Sequence, residues 1–305
     1  MSDDAGHDVF HVFQKGCLLQ LSISVWGASK KLPKGAVTTE SDSDYIRASK
    51  LLVDPANLDS IKKVSGAVRN GVRDLCLPFP IDGFLFVSKD SVNQVDGWLD
   101  SQKGRFDAAV SEFVSRYSWA RDVARSHLGA NFSETDYPAD IRSKFNFSWR
   151  FVLLAPPAGK GASILSPELV ARERASFLSL MEQARIECVQ ALREEFAGLV
   201  DHMASKLAPG PDGKLRVFRD SLVGNFADFF ANFKSRNCFD DSELSALVTR
   251  AQAVLSGVGP DDLRGSAGIR SRVAGDVAEI KRVVDNSIIT VGRKLRLSGG
   301  PDAAA

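Results

Sequence analysis

The chain has 305 residues, room for one large domain or two intimate ones. Its 44% hydrophobic and 25% charged residues exclude a disordered or collagen-like polymer and leave an ordinary globular protein. A formal net charge of +1 supplies no global attraction to nucleic acid or to an anionic membrane, so any such binding has to come from a local basic patch.

Four cysteines, Cys17, Cys76, Cys188 and Cys238, lie far apart without a CxxC spacing. That argues against a zinc ribbon and a disulfide framework, and for a cytoplasmic chain. The acidic, polar start reads as no signal peptide, and no apolar stretch approaches the roughly 20 residues of a membrane span.

Residues 1–14 read as a disordered N-terminus. Cys17, Leu19, Leu21, Ile23 and Val25 then alternate with Leu18, Gln20, Ser22, Ser24 and Trp26, the period of a strand. Gly27 and Lys30-Lys31-Leu32-Pro33 end it, and Thr38 to Asp44 is a polar loop. Asp54-Pro55 starts a helix with Leu58, Ile61, Val64, Val68, Val72 and Leu75 on one face. Pro78 and Pro80 stop it, Asp82-Gly83 is a turn, and Phe84 to Val87 is a brief strand.

A long helix follows from about Ser91 to Leu128, weakened at Gly97 and Gly104 by about 1 kcal/mol each and stopped by Gly129. Pro138 to Phe145 reads as a short helix. Phe147, Trp149, Phe151 and Leu153 form a second alternating strand, the expected partner of the first. Pro156 to Ser166, rich in small residues, is the boundary. Ser166-Pro167-Glu168 is a well-formed helix start, with a cap, a first-turn proline and an acid at the positive end of the dipole.

From Ser166 to Leu207 the sequence reads as one amphipathic helix roughly 60 Å long. Val170, Phe177, Met181, Ala184, Cys188, Leu192, Phe196, Leu199, Met203 and Leu207 form its stripe, and Arg172, Glu182, Arg185, Glu187, Arg193 and Glu194 lie opposite. The mean apolar spacing, near 3.7, favours a straight helix in an antiparallel bundle over a coiled coil. Pro209 to Gly213 makes a tight connection. Three further helices follow, marked by Phe218 to Phe233, Leu244 to Leu255 and Ile269 to Ile289. The expected fold is α+β and predominantly helical, with a small antiparallel sheet region before a long-helix bundle. The expected organisation is an α+β domain at 15–157, a linker at 158–165, a helical bundle at 166–292, and a basic end with a disordered tail at 293–305.

Catalytic signatures are weak. Pro156 to Gly161 sits where a phosphate-binding loop would, but Leu154 replaces its first glycine and Gly161 its Ser/Thr. His7-Asp8-Val9-Phe10-His11 imitates HExxH with an acid one methylene short and no third ligand. His127 and His202 have no placed partners for acid–base work, and no GxSxG elbow occurs. No catalytic residue, metal ligand or cofactor is therefore assigned. Lys30 and Lys31 beside Trp26, and Arg142, Lys144 and Arg150 around the aromatic strand, suit single-strand binding by phosphate contact and stacking. The same pattern arises where an aromatic core strand carries solvated charges on its other face. Trp26, Phe229 and Phe230 are candidates for a partner surface if the bundle is open.

Leu19 to Leu32, with its alternating strand, Trp26 and Lys30-Lys31-Leu32, resembles the opening of the family of proteins of unknown function 3150. Lys50-Leu51-Leu52-Val53-Asp54-Pro55, Leu77 to Gly83, Tyr137-Pro138 and Phe145-Asn146-Phe147 add to the resemblance, which spans about residues 15 to 290. That resemblance implies no catalytic residues. It does imply company: such proteins are often encoded beside a MoxR-type AAA+ ATPase and a von Willebrand A-type protein in bacteria, plasmids and phages. The expectation is a non-enzymatic adaptor for such a protein partner, with a nucleic-acid-binding accessory factor as the alternative and an enzyme assembled from scattered residues as the third. No membrane is expected among its partners, and a homo-oligomer stays open.

Overall fold

The computed structural model describes residues 15–33, 48–156, 164–209 and 220–297, with side chains to residue 288. In chain order the elements are β1 (Gly16–Ser24), β2 (Ser29–Lys31), β3 (Ser49–Leu51), α1 (Asp59–Leu75), β4 (Leu77–Pro78), β5 (Phe84–Ser88), α2 (Val92–Leu128) and β6 (Asn146–Val152). The rest is helical: α3 (Pro167–Leu207), α4 (Ser221–Arg236), α5 (Ser242–Leu255), α6 (Pro260–Gly265) and α7 (Ala267–Leu297). The fold is α+β and predominantly helical, with a small antiparallel sheet. Residues 1–14, most of the 157–165 boundary and the tail from 298 lie outside the described residues, as does the connection after Pro209.

The chain packs into two compact units. The sheet unit holds residues 19–73 and 93–151; the helical unit holds the described parts of 1–18, 74–92 and 152–305.

In the sheet unit β1 lies beside β6, as the two alternating patterns predict. Leu19 on β1 and Phe147 on β6 are buried, whereas Ser22, Ser24, Ser148 and Arg150 are exposed. Helix α1 is entered through a short 3-10 turn, where Asp54 accepts the Ala56 N–H at 2.9 Å and Pro55 occupies the first position. Its Ile61, Val68 and Val72 are buried, as are Val95, Leu99, Phe106, Val110 and Phe113 of α2. Gly129 ends α2 at φ 50°, a backbone region glycine reaches at no steric cost. The short helix expected at Pro138 to Phe145 is instead a 3-10 turn at Arg142–Lys144. There the Asp140 carboxylate draws in the Arg142 N–H at 3.1 Å, a local bond that competes with helix.

Strands β2 and β3, three residues each and antiparallel, place Lys30 directly opposite Lys50. Two like charges so placed repel. Asp136 offsets this by taking Lys50 at 2.6 Å and Lys30 at 3.4 Å.

In the helical unit β4 and β5 form an antiparallel pair, Leu77 opposite Phe86, and the start of β1 lies beside β5. Helix α3 is the spine. Met181, Ala184, Cys188, Leu192, Phe196, Val200, Met203 and Leu207 are buried at steps of three and four. Near the start of α7, Arg270 donates to the carbonyls of Lys206 and Leu207 at 2.7 and 3.3 Å, and further along Lys281 meets Asp201 at 2.8 Å. The two helices are therefore antiparallel, and the arginine satisfies carbonyls that the end of α3 leaves open. Helix α4 brings Phe226 and Phe229 onto Phe196, ring centroids 6.5 and 5.6 Å away.

Candidate functional site

Helix α3 begins as its sequence dictates. The Ser166 hydroxyl accepts the Leu169 N–H at 3.3 Å and Pro167 fills the first turn. The apolar stripe starts at once with Leu169 and Val170 and continues through Phe177, Leu178 and Leu180. Yet the first buried residue of the helix is Met181. Fourteen residues, about 21 Å of helix, thus precede the buried run, with five large apolar side chains only half covered. Phe177 and Leu180 touch the edge of the core. Ile164, just before the helix, is 87% exposed.

The basic residues singled out in sequence lie on three elements of the sheet unit. Lys30 is engaged with Asp136, and Arg142 donates to the Ser111 hydroxyl at 2.9 Å. Lys31, Lys144 and Arg150 are exposed and have no acidic partner among the described residues. Their aromatic neighbours face inward. Trp26 is half-buried against Phe113 and Tyr117, centroids 6.2 and 5.9 Å away, Phe145 meets Phe113 at 5.7 Å, and Phe147 is buried on Phe106. Trp149 and Phe151, the neighbours of Arg150 on its strand, are partly covered.

Of the partner-surface candidates, Phe229 is 3% exposed, with Phe196 and Phe233 each 5.6 Å away by ring centroid. Phe230 is half-buried against Phe226. Phe229 belongs to the bundle interior and Phe230 packs against its edge, each four residues from another phenylalanine, Phe233 and Phe226. His127 and His202 are exposed; His7 and His11 lie outside the described residues, as does most of the glycine-containing loop after Pro156.

Sequence reasoning missed two polar groupings. Arg193, read as solvated, is buried and holds Asp241 through two bonds of 2.6 and 2.8 Å, with Glu243 at 2.9 Å. Asp241 is also the N-cap of α5, accepting the Leu244 N–H at 3.1 Å. The second is a cavity of about 310 Å3 lined by Asp74, Glu195, Asp228, Asn225, Asn232 and Arg236, with Leu199 and Phe229. Arg236 grips Glu195 at 2.6 and 3.0 Å. Burial, with Glu195 and Asp228 nearby, pushes the Asp74 carboxyl above its usual range, against the pull of Arg236. Acidic and basic residues recur every few positions in these helices, so no sequence signal distinguished these.

Burial pushes Cys76 and Cys238 up to about 12 and raises Cys188 as well, whereas reactive cysteines are depressed. The Cys188 S–H donates to the Pro78 carbonyl at 3.3 Å. Among the described residues no cluster of three potential metal ligands occurs, and no helix is long and apolar enough to cross a membrane.

A family model described as "Protein of unknown function (DUF3150)" matches residues 13–208. No curated protein and no solved structure matches the chain.

Proposed function

The chain belongs to the DUF3150 family, and for this member we propose a non-enzymatic role as an interaction and adaptor protein, cytoplasmic and encoded by a phage or mobile element. One observation carries the reading. Helix α3 begins fourteen residues before its buried run, and Leu169, Val170 and Leu178 keep the helical stripe while only half covered. An apolar stripe that the described residues leave incompletely covered suits a partner site, and an amphipathic helix is a recurrent docking element. The family resemblance supplies the partner class: a MoxR-type AAA+ ATPase or its von Willebrand A-type companion.

The test is affinity purification from the native host with nuclease treatment and mass spectrometry. Recovery of the ATPase or its companion from wild type, and loss with Val170→Glu, is the expected result. Recovery of no protein partner overturns the proposal.

A second reading, a nucleic-acid-binding accessory factor, is favoured by Lys31, Lys144 and Arg150, which are exposed and have no acidic partner among the described residues. Binding through these alone is phosphate contact, so affinity falls steeply with salt, and reversing all three charges abolishes it. Absence of binding to single- and double-stranded DNA at low salt ends this reading.

A further inference from the structure

Strand β6 has one strand neighbour among the described residues, β1. Its other edge presents backbone N–H and C=O groups for which the described residues supply no partner. Natural edge strands are usually blunted by proline, charged side chains or a very short length. β6 is seven residues long, Asn-Phe-Ser-Trp-Arg-Phe-Val, with no proline and a single charge, Arg150.

We propose that this edge pairs antiparallel with the same edge of a second copy, about a two-fold axis at Trp149. An antiparallel ladder sets each residue against the one equally far from the axis, on the same face of the sheet. Phe147 then lies opposite the partner's Phe151, Trp149 opposite the partner's Trp149, and Phe151 opposite the partner's Phe147. These are aromatic cross-strand pairs, among the more favourable in sheets. On the outer face the one charge of the strand, Arg150, meets the partner's Ser148, so no like charges oppose. The inner residues at this edge are not fully buried: Phe151 is partly covered, as is Trp149, whose indole N–H donates to Asp96 at 2.8 Å. One patch pairing with itself is the isologous contact that closes a dimer. A contact confined to one seven-residue strand edge lies at the weak end of specific interfaces.

The inference is independent of the adaptor proposal, because it is read on the purified full chain alone. Sedimentation velocity over a wide concentration range is expected to show reversible dimerisation. Ser148 is exposed and points away from the core, so its substitution leaves the fold intact, which circular dichroism checks. Ser148→Asp, placed against the partner's Arg150 twice in the symmetric dimer, tightens association by about fivefold, and Ser148→Arg weakens it by a similar factor. Adding Arg150→Asp to Ser148→Arg restores association. A wild-type monomer at every concentration overturns the proposal. So does a dimer indifferent to all three changes.

Discussion

Asp74 shows how a single residue's surroundings set its contribution. Its carboxyl shares a cavity with Glu195 and Asp228, and burial with these two charges raises its pKa above the ordinary 3.8. A folded-state pKa raised above the unfolded value carries no cost below the unfolded pKa, where both states are protonated; the cost grows as pH rises through the folded one and persists at neutrality. Asp74→Asn is therefore expected to stabilise the protein at pH 7 and to lose that advantage as pH falls through the raised folded pKa toward 3.8. Urea denaturation of both proteins across that range checks it; a gain unchanged at acid pH would refute the electrostatic explanation. None of this was legible beforehand. Asp74, Glu195 and Asp228 come from three distant segments, and a carboxylate's neighbours are a property of the fold. The same holds for Arg193, which the sequence places on the charged face opposite the stripe and which the fold buries against Asp241.

Among whole elements, α3 was the most legible, because cap, proline, stripe and length all agree. Strands β2 and β3 were the least: three residues each, with Lys30 opposite Lys50, they lack both length and alternation, and Asp136 from a later loop holds them. Glycines separate two kinds of element. In β1 a Cβ on Gly16 would stand 2.1 Å from the Val87 carbonyl oxygen and 2.6 Å from the Phe86 ring. Backbone cannot yield there, so Gly16→Ala is expected to cost about 3 kcal/mol or more. In α2, Gly97 and Gly104 are exposed with nothing within 4 Å, so alanine at each adds about 0.5–1 kcal/mol. Thermal and chemical denaturation should rank the three substitutions in that order, and destabilisation by Gly97→Ala would contradict the open helix surface.

The tie between α3 and α5 yields a further expectation at this scale. Arg193→Ala leaves Asp241 buried without its guanidinium. Breaking a buried pair from one side costs about 3–5 kcal/mol. Replacing both partners with apolar residues of similar volume, Arg193→Met with Asp241→Leu, removes the stranded charge and retains the packing, but it also removes the N-cap of α5, worth about 1 kcal/mol. The double variant is thus expected to be more stable than Arg193→Ala and slightly less stable than wild type. If the double variant proves the less stable of the two, the pair contributes net stabilisation well beyond avoided desolvation.

For the whole molecule, the helical unit is not a contiguous stretch of sequence. Its core cluster joins the helices after residue 166 to Leu18, Leu77, Phe79 and Phe86, and Cys188, in the middle of α3, donates to Pro78. Helix periodicity announces the later segment and says nothing of the earlier ones, whose recruitment depends on contacts across about a hundred residues. A fragment starting at residue 152 therefore keeps every helix from α3 to α7 but loses β4, β5 and the start of β1. The face of α3 around Met181, Cys188 and Leu192 would lose part of its cover, and buried apolar surface supplies the main favourable term of folding. Helix content survives such a loss more readily than fixed packing does. The fragment is expected to retain strong far-ultraviolet dichroism, to lose near-ultraviolet dichroism, and to bind 8-anilinonaphthalene-1-sulfonate where the full chain does not. A fragment that unfolds cooperatively, with native near-ultraviolet signal and no dye binding, would mean that the helices form a self-sufficient core and that residues 74–92 merely decorate it.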